Sequence, residues 1–320
     1  ATAVEMPGLR GMVNGVLRNA LRQSAEWPAW IAADETARYA HPQWWIARVR
    51  RAHPDAWQAV LEAGNQRPSM TLRVNRRRTT VDAALAALEA AGISARKGGQ
   101  DALLLDRPVA IARVPGYVEG LVSVQDAGAQ WAAHLLDARD GERVLDACAA
   151  PGGKSAHLLE RADIDLLALE LDPRRAQRVQ HNLERLGLAA SVQVADCRDV
   201  DAWWDGRPFD RILADVPCSA SGVVGRHPDI KWLRRDDDIR RFAAQQAEIL
   251  DAHWQTLAPG GTMLYVTCSV FDDENEIQIG RFCARHANAQ RLPIDGSTAL
   301  QLLPTAEHDG FYFALLRKSR

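Results

Sequence analysis

A few short segments of this 320-residue chain hold the side chains able to do chemistry. The apolar run Val144 to Ala147 leads into Cys148-Ala149-Ala150-Pro151-Gly152-Gly153-Lys154. Small residues and paired glycines after a strand let backbone approach a ligand closely. The next expected strand ends at Glu170, at about the spacing where a carboxylate takes the hydroxyls of a ribose. The ligand expected here therefore contains a nucleoside. The third glycine of a dinucleotide loop is missing, which argues against a pyrophosphate. Asp196 ends a third strand, where an acid can accept from an adenine amino group. The fourth strand ends in Asp215-Val216-Pro217-Cys218-Ser219-Ala220-Ser221-Gly222, and the fifth in Thr267-Cys268-Ser269. In a doubly wound sheet those two strands are neighbours, so Cys218 and Cys268 are expected to meet at one rim with Asp215.

Two thiols and an acid beside a nucleoside suggest a specific reaction. A thiolate adding to C6 of a pyrimidine makes C5 electron-rich enough to be alkylated. An acid hydrogen-bonded to N3 drains the charge, for which Asp215 is expected to carry a proton. The second thiolate removes the C5 proton and permits elimination. The nucleoside ligand is then the methyl donor. Chemistry alone does not rank the two thiols as nucleophile and base.

These residues need a sheet to position them. From Glu142 the pattern alternates, with strands at Arg143–Ala147, Leu166–Leu171, Ser191–Ala195, Arg211–Ala214 and Thr262–Thr267, and helices at His157–Arg161, Pro173–Leu186 and Arg240–Leu257. Phe311–Leu316 is a closing strand. This is an α/β, Rossmann-like arrangement. Before it, strands at Met70–Asn75, Ala102–Leu105 and Leu121–Val124 with a helix at Thr80–Ala91 make a small α+β unit, and Asp126–Leu136 is a helix leading out of it. Further upstream, Gly11–Arg22 reads as a short amphipathic helix and Glu26–Asp34 as a connector. His41–Val49 and Pro54–Ala63 read as helices anchored by Trp44, Trp45 and Trp57.

Composition bounds the rest. Apolar residues at 47% and charged residues at 25% exclude a disordered tail or a collagen-like repeat. No apolar run reaches the ~20 residues of a membrane helix, and Ala1–Arg22 lacks the apolar core of a signal peptide. A cytoplasmic location without membrane association is the expectation. The five cysteines, Cys148, Cys197, Cys218, Cys268 and Cys283, are odd in number and show no metal-finger spacing, so a reducing compartment and no metal are expected. The net charge of −2 announces no polyanion partner by itself. Yet Lys97, Lys154, Lys231 and Lys318 are the only lysines among 39 basic residues. Arginine suits phosphate, although a coding bias gives the same count.

CAAPGGK (148–154), DVPCSASG (215–222) and TCS (267–269) together resemble the RNA cytosine-C5 methyltransferases of the NSUN/Sun family. The likeness spans about residues 65 to 320. VNGVLRN (13–19), QRPSMTLRVN (66–75) and GRHPDIKW (225–232) are similar to its bacterial branch, which acts on 16S ribosomal RNA. The resemblance implies S-adenosylmethionine as cofactor, held by Cys148, Ala149, Ala150, Pro151, Gly152, Gly153, Lys154, Glu170, Asp196 and Asp215. It implies Cys268 as nucleophile and Cys218 as the thiol that assists release. Glu170 stands where many members have Asp, and either carboxylate can hold a ribose.

The same resemblance implies three parts. Residues 1–25 would be the end of a helical, NusB-like RNA-binding domain. Residues 26–130 would be a helical linker and an α+β unit like an RNA-recognition fold. Residues 131–320 would be the methyltransferase domain, its last strand antiparallel. Arg73, Arg76, Arg77 and Arg78 leave a strand together and are expected to grip phosphate, as are Arg226, His227 and Lys231 near the thiol loop. No tryptophan is assigned to RNA. The expected partner is 16S rRNA rather than DNA, bound by a monomer, at an unstacked or flipped nucleotide. Two other readings remain: a non-catalytic rRNA-binding assembly factor, and a nicotinamide-dependent dehydrogenase, which the glycine pattern disfavours.

Overall fold

Two sheets, each nucleated by runs of Val, Leu and Ile between turn residues, organise the chain. The computed structural model describes residues 7–99 and 101–319; part of the Ala1–Arg22 reading, residues 1–6, lies outside the described residues. Helices come first: α1 (Arg10–Arg22), α2 (Trp27–Ala33), α3 (Glu35–Tyr39), α4 (Gln43–Ala52) and α5 (Trp57–Ala63). The small sheet follows, with β1 (Met70–Val74), α6 (Val81–Ala90), β2 (Ala95–Lys97), β3 (Ala102–Leu105) and β4 (Val122–Val124). Its order is β2-β3-β1-β4, all antiparallel.

Helix α7 (Ala127–Leu136) opens the larger unit. Then come β5 (Arg143–Asp146), α8 (Gly153–Arg161), β6 (Asp165–Glu170), α9 (Pro173–Leu186), β7 (Ser191–Val194), α10 (Val200–Trp203) and β8 (Phe209–Asp215). After them lie α11 (Ile230–Leu233), α12 (Asp236–Thr256), β9 (Leu257–Thr267), α13 (Glu276–Arg285), β10 (Ala289–Leu292), β11 (Leu300–Leu302) and β12 (Phe311–Lys318). The sheet order is β10-β12-β9-β8-β5-β6-β7, with β11 beside β12. Strands β5 to β9 are parallel and β12 runs antiparallel, which is a Rossmann-like arrangement with a reversed strand next to its last parallel one. The order reverses between β6 and β8 around β5, and the ligand crevice of such sheets opens there.

Local chemistry explains the elements. In α9, Ala176, Val179, Leu183 and Leu186 are buried at helical spacing. Asp172 caps its N-terminus by accepting from Arg174 N, and Pro173 occupies the first turn. The stretch read as a connector is instead mostly helix α2, because Pro28 falls in a first turn, where its missing N–H costs no hydrogen bond. Trp45 is buried, whereas Trp44 and Trp57 are half-buried. Sequence reading missed β2, an edge strand of charged residues, and α13 with β10 and β11 near the C-terminus. On α1 no residue is buried, and Met12, Val16, Leu17 and Leu21 lie exposed on the amphipathic helix.

One side chain ties the two sheets together, and it corrects an expectation. Arg73 is not an RNA-facing residue: it is 1% exposed and lies within the molecule. Its Nε and Nη2 donate to Glu160 of α8 at 2.8 and 2.7 Å, and Nη1 donates to Gly153 O and Gln125 Oε1. Burial pushes the Glu160 carboxyl upward while the guanidinium pulls it back.

Candidate active site

The C-terminal ends of β5, β6, β7, β8 and β9 enclose a cavity of about 390 Å³. Its walls include Cys148, Ala150, Glu170, Asp196, Asp215, Cys218 and Cys268, gathered from five loops. The remaining residues of the 148–154 segment shape the turn. Ala149 is buried, and Pro151 accepts from Asn182 Nδ2. Gly152 has φ +95°, and a Cβ there would meet the Val179 backbone at 3.1 Å. Only glycine keeps this turn close to α9.

The two thiols meet. Cys218 Sγ and Cys268 Sγ lie 3.4 Å apart, as the β8–β9 pairing requires. The hydrogen bond with Cys268, and then burial, push the Cys218 thiol well up, which favours its protonated form. Nearby, Lys154 Nζ donates to Asp215 Oδ2 at 2.6 Å. Burial opposes the ammonium, but attraction to Asp215, with help from Cys268, raises its pKa overall. Asp215, expected to carry a proton, thus has the Lys154 ammonium as its hydrogen-bond donor.

A second thiol pair was not foreseen. Cys148 Sγ lies 3.9 Å from Cys197 Sγ in the same cavity. The hydrogen bond from Cys148 outweighs burial and pulls Cys197 down to about 5. Asp196 is held by both arms of Arg198, at 3.0 and 2.7 Å, and Glu170 Oε1 accepts from Asp172 N. An acid at the end of β6, a second acid at the end of β7, small walls and a glycine turn fit a nucleoside-bearing ligand.

Sequence reasoning also missed the polar core that fixes both thiol loops. Glu274 is fully buried and accepts from Ser219 N, Ser269 Oγ and Gln246 Nε2. Ser221 and Ser219 join through their hydroxyls, and Asn275 holds Ser269 O. Gly222 donates to Cys268 O at 2.8 Å, and a Cβ at Gly222 would lie 2.4 Å from Gly310 O. The acid run just after Thr267-Cys268-Ser269 was the available signal. It reads as a solvated turn until a partner loop is known.

Two further RNA assignments are corrected. Arg226 is taken up by Asp126 and Asp309, at 2.8 and 2.5 Å, and by Ser69 O. Lys231 is buried and donates to Asn65 Oδ1 at 2.7 Å. His227 is exposed, as are Arg76, Arg77 and Arg78. Arg76 and Arg77 line a groove with Arg161 of α8, and Arg78 donates to Glu119 O. Among the described residues no helix is long and apolar enough to cross a membrane.

The comparisons with known proteins agree with this geometry. Residues 133–317 match the family model described as 16S rRNA methyltransferase RsmB/F. Residues 41–112 match the ferredoxin-like domain model of RsmF/B-like methyltransferases. Ribosomal RNA small subunit methyltransferase B of Erwinia tasmaniensis is 48% identical over 99% of this chain and 75% of its own length. The crystal structure of PH0851 superposes with a TM-score of 0.84 at 29% identity, covering 88% of this chain and 67% of that one. A methyltransferase homologue from Pyrococcus horikoshii gives 0.78 at 26% identity, covering 89% and 98%.

Proposed function

The chain belongs to the 16S rRNA methyltransferase RsmB/F family, and we propose that it transfers a methyl group to C5 of a cytosine in small-subunit rRNA through a transient Cys268–C6 bond. The observation that carries this reading is the 3.4 Å approach of two thiols in a cavity that Glu170, Asp196 and Asp215 also line. S-adenosylmethionine, held by the 148–154 turn, Glu170 and Asp196, supplies the electrophilic methyl.

The protein's own groups do the rest. Cys268 attacks C6, and the ring's new charge is met at N3 by the proton of the Lys154–Asp215 pair. While Cys268 is a thiolate, its charge holds the Cys218 proton in place. Once Cys268 is a neutral thioether, that charge is gone and Cys218 ionises more readily. With its own proton released to solvent, it then takes the C5 proton as the C6–S bond breaks, Cys268 leaves as thiolate, and the N3 proton returns to the Lys154–Asp215 pair. The chemistry thus assigns the base role to the thiol that starts protonated. Within this reading, residues 26–130 present the RNA and residues 131–320 carry the reaction.

The test is mapping of 5-methylcytosine by bisulfite sequencing after incubation of unmodified small-subunit rRNA with enzyme and S-adenosylmethionine. An rRNA lacking new 5-methylcytosine overturns the proposal. In the same reaction, Cys218→Ala is expected to stall after methylation and accumulate a protein–RNA adduct on a denaturing gel. A turnover-competent Cys218→Ala protein without adduct would remove Cys218 from the scheme.

Arg76, Arg77 and Arg78 remain as the proposed phosphate contacts, with Arg161 across the groove. Replacing the first three by Ala is expected to lower the slope of log affinity against log salt by about 2, since each single-stranded phosphate contact contributes about 0.7. A salt titration of RNA binding reads this directly, and an unchanged slope places them off the RNA.

A further inference from the structure

A second cavity, of about 300 Å³, shares Gln245 with the cleft just described. Its other walls are Arg234, Asp238, Arg241 and Phe242. Arg234 connects it to the reaction: its Nε donates at 3.2 Å to the carbonyl of Ser219, the residue after Cys218. The same guanidinium lies over the Phe242 ring, 4.9 Å from its centroid.

The carboxylates around it are already paired. Three acids open α12, and each has an arginine: Asp236 pairs with Arg48, Asp237 with Arg240, and Asp238 with Arg241. Arg234 pairs with no carboxylate among the described residues. One turn earlier, Trp232 and Leu233 stand 57% and 70% exposed. A half-exposed phenyl ring, an uncancelled guanidinium stacked on it and an apolar shoulder form a platform suited to a nucleotide. A base extends the Arg–Phe stack, and the guanidinium's free arms reach the phosphate.

We propose that this cavity holds a nucleotide neighbouring the target base in the substrate RNA. The proposal rests on the RNA-methyltransferase reading above and names the part of the strand that reading left unplaced. With the neighbour pinned here, the backbone next to the target is fixed against the thiol loop, and the target base is free to turn toward Cys268.

The test uses a short RNA hairpin containing the target, with RNA binding and methyl transfer measured in parallel. Phe242→Ala is expected to raise Kd and KM for RNA about tenfold, as loss of one aromatic–base stack does, with kcat nearly unchanged. Phe242→Leu keeps an aliphatic filler and is expected to lose nearly as much, so a misfolded Ala variant does not decide the matter. RNAs carrying an abasic residue at each flanking position provide the coupling. At one position the abasic change should weaken wild-type binding by the same factor yet add nothing in Phe242→Ala. An unchanged Kd in both variants, or abasic effects that add in full at every position, overturns the proposal. Wild-type protein that binds RNA but transfers no methyl group would overturn the parent reading instead, while the Kd comparison still decides this one.

Discussion

Cys268→Ala is expected to abolish methyl transfer, by more than about 10⁴-fold in kcat, because its sulfur is the one that forms the bond to C6 in the proposed reaction. Cys218 is 3.4 Å away but sits lower in the wall and holds its proton. Removing Cys268 also removes the charge that keeps Cys218 protonated, so a weak rescue by Cys218 is the competing outcome. The double variant, Cys268→Ala with Cys218→Ala, separates the two: any residual turnover of the single variant that vanishes in the double one belongs to Cys218. Binding of S-adenosylmethionine, followed by calorimetry, should be retained, since the sulfur is one wall among many. Full turnover without Cys268 would reverse the assignment of the two thiols.

Arg73→Met carries the largest expected cost in stability, about 3–5 kcal/mol, because it leaves Glu160 buried without its partner. Urea denaturation measures it. The double variant Arg73→Met with Glu160→Met should recover most of the loss, as apolar replacement of a buried pair often does. The loss in the single variant should also depend on pH. Burial raises the Glu160 carboxyl above its ordinary 4.5 in the folded protein, and without Arg73 only the weaker attraction of Arg185 opposes that. A raised carboxyl favours the folded state below the unfolded value and loses that contribution as pH rises through the folded one. The deficit of Arg73→Met should therefore shrink as pH falls toward the carboxyl's ordinary value and grow as pH rises above it. A pH-independent deficit would show that packing, not the unpaired charge, sets the cost.

Much of this was legible in the chain. The parallel alternation, the ends of α9, the ligand turn at 148–154 and the meeting of Cys218 with Cys268 follow from periodicity, caps and strand adjacency, all of which are local or nearly so. What the sequence hid was the identity of distant partners. Arg73 looked like a member of a phosphate-gripping cluster until Glu160, far along the chain, occupied it. Arg226 and Lys231 were likewise claimed by Asp309 and Asn65 from remote segments. Asp215 was expected to act through a proton of its own, and its hydrogen-bond partner, Lys154, was not foreseen. A charge read in sequence has a sign but no counterion, and in each case the counterion decided the role. The polar lattice around Glu274 was invisible for the same reason, since four of its members lie on two separate loops.

The clasp of Arg73 on both Glu160 and the carbonyl of Gly153 also sets a length scale. It ties the sheet beside Arg76 and Arg77 to the helix that begins at the 148–154 turn. In the proposed reading the protein is then a caliper, and a substrate lengthened by one nucleotide between the phosphates at those arginines and its reactive base is expected to present the wrong residue at the jaws unless the RNA itself bends.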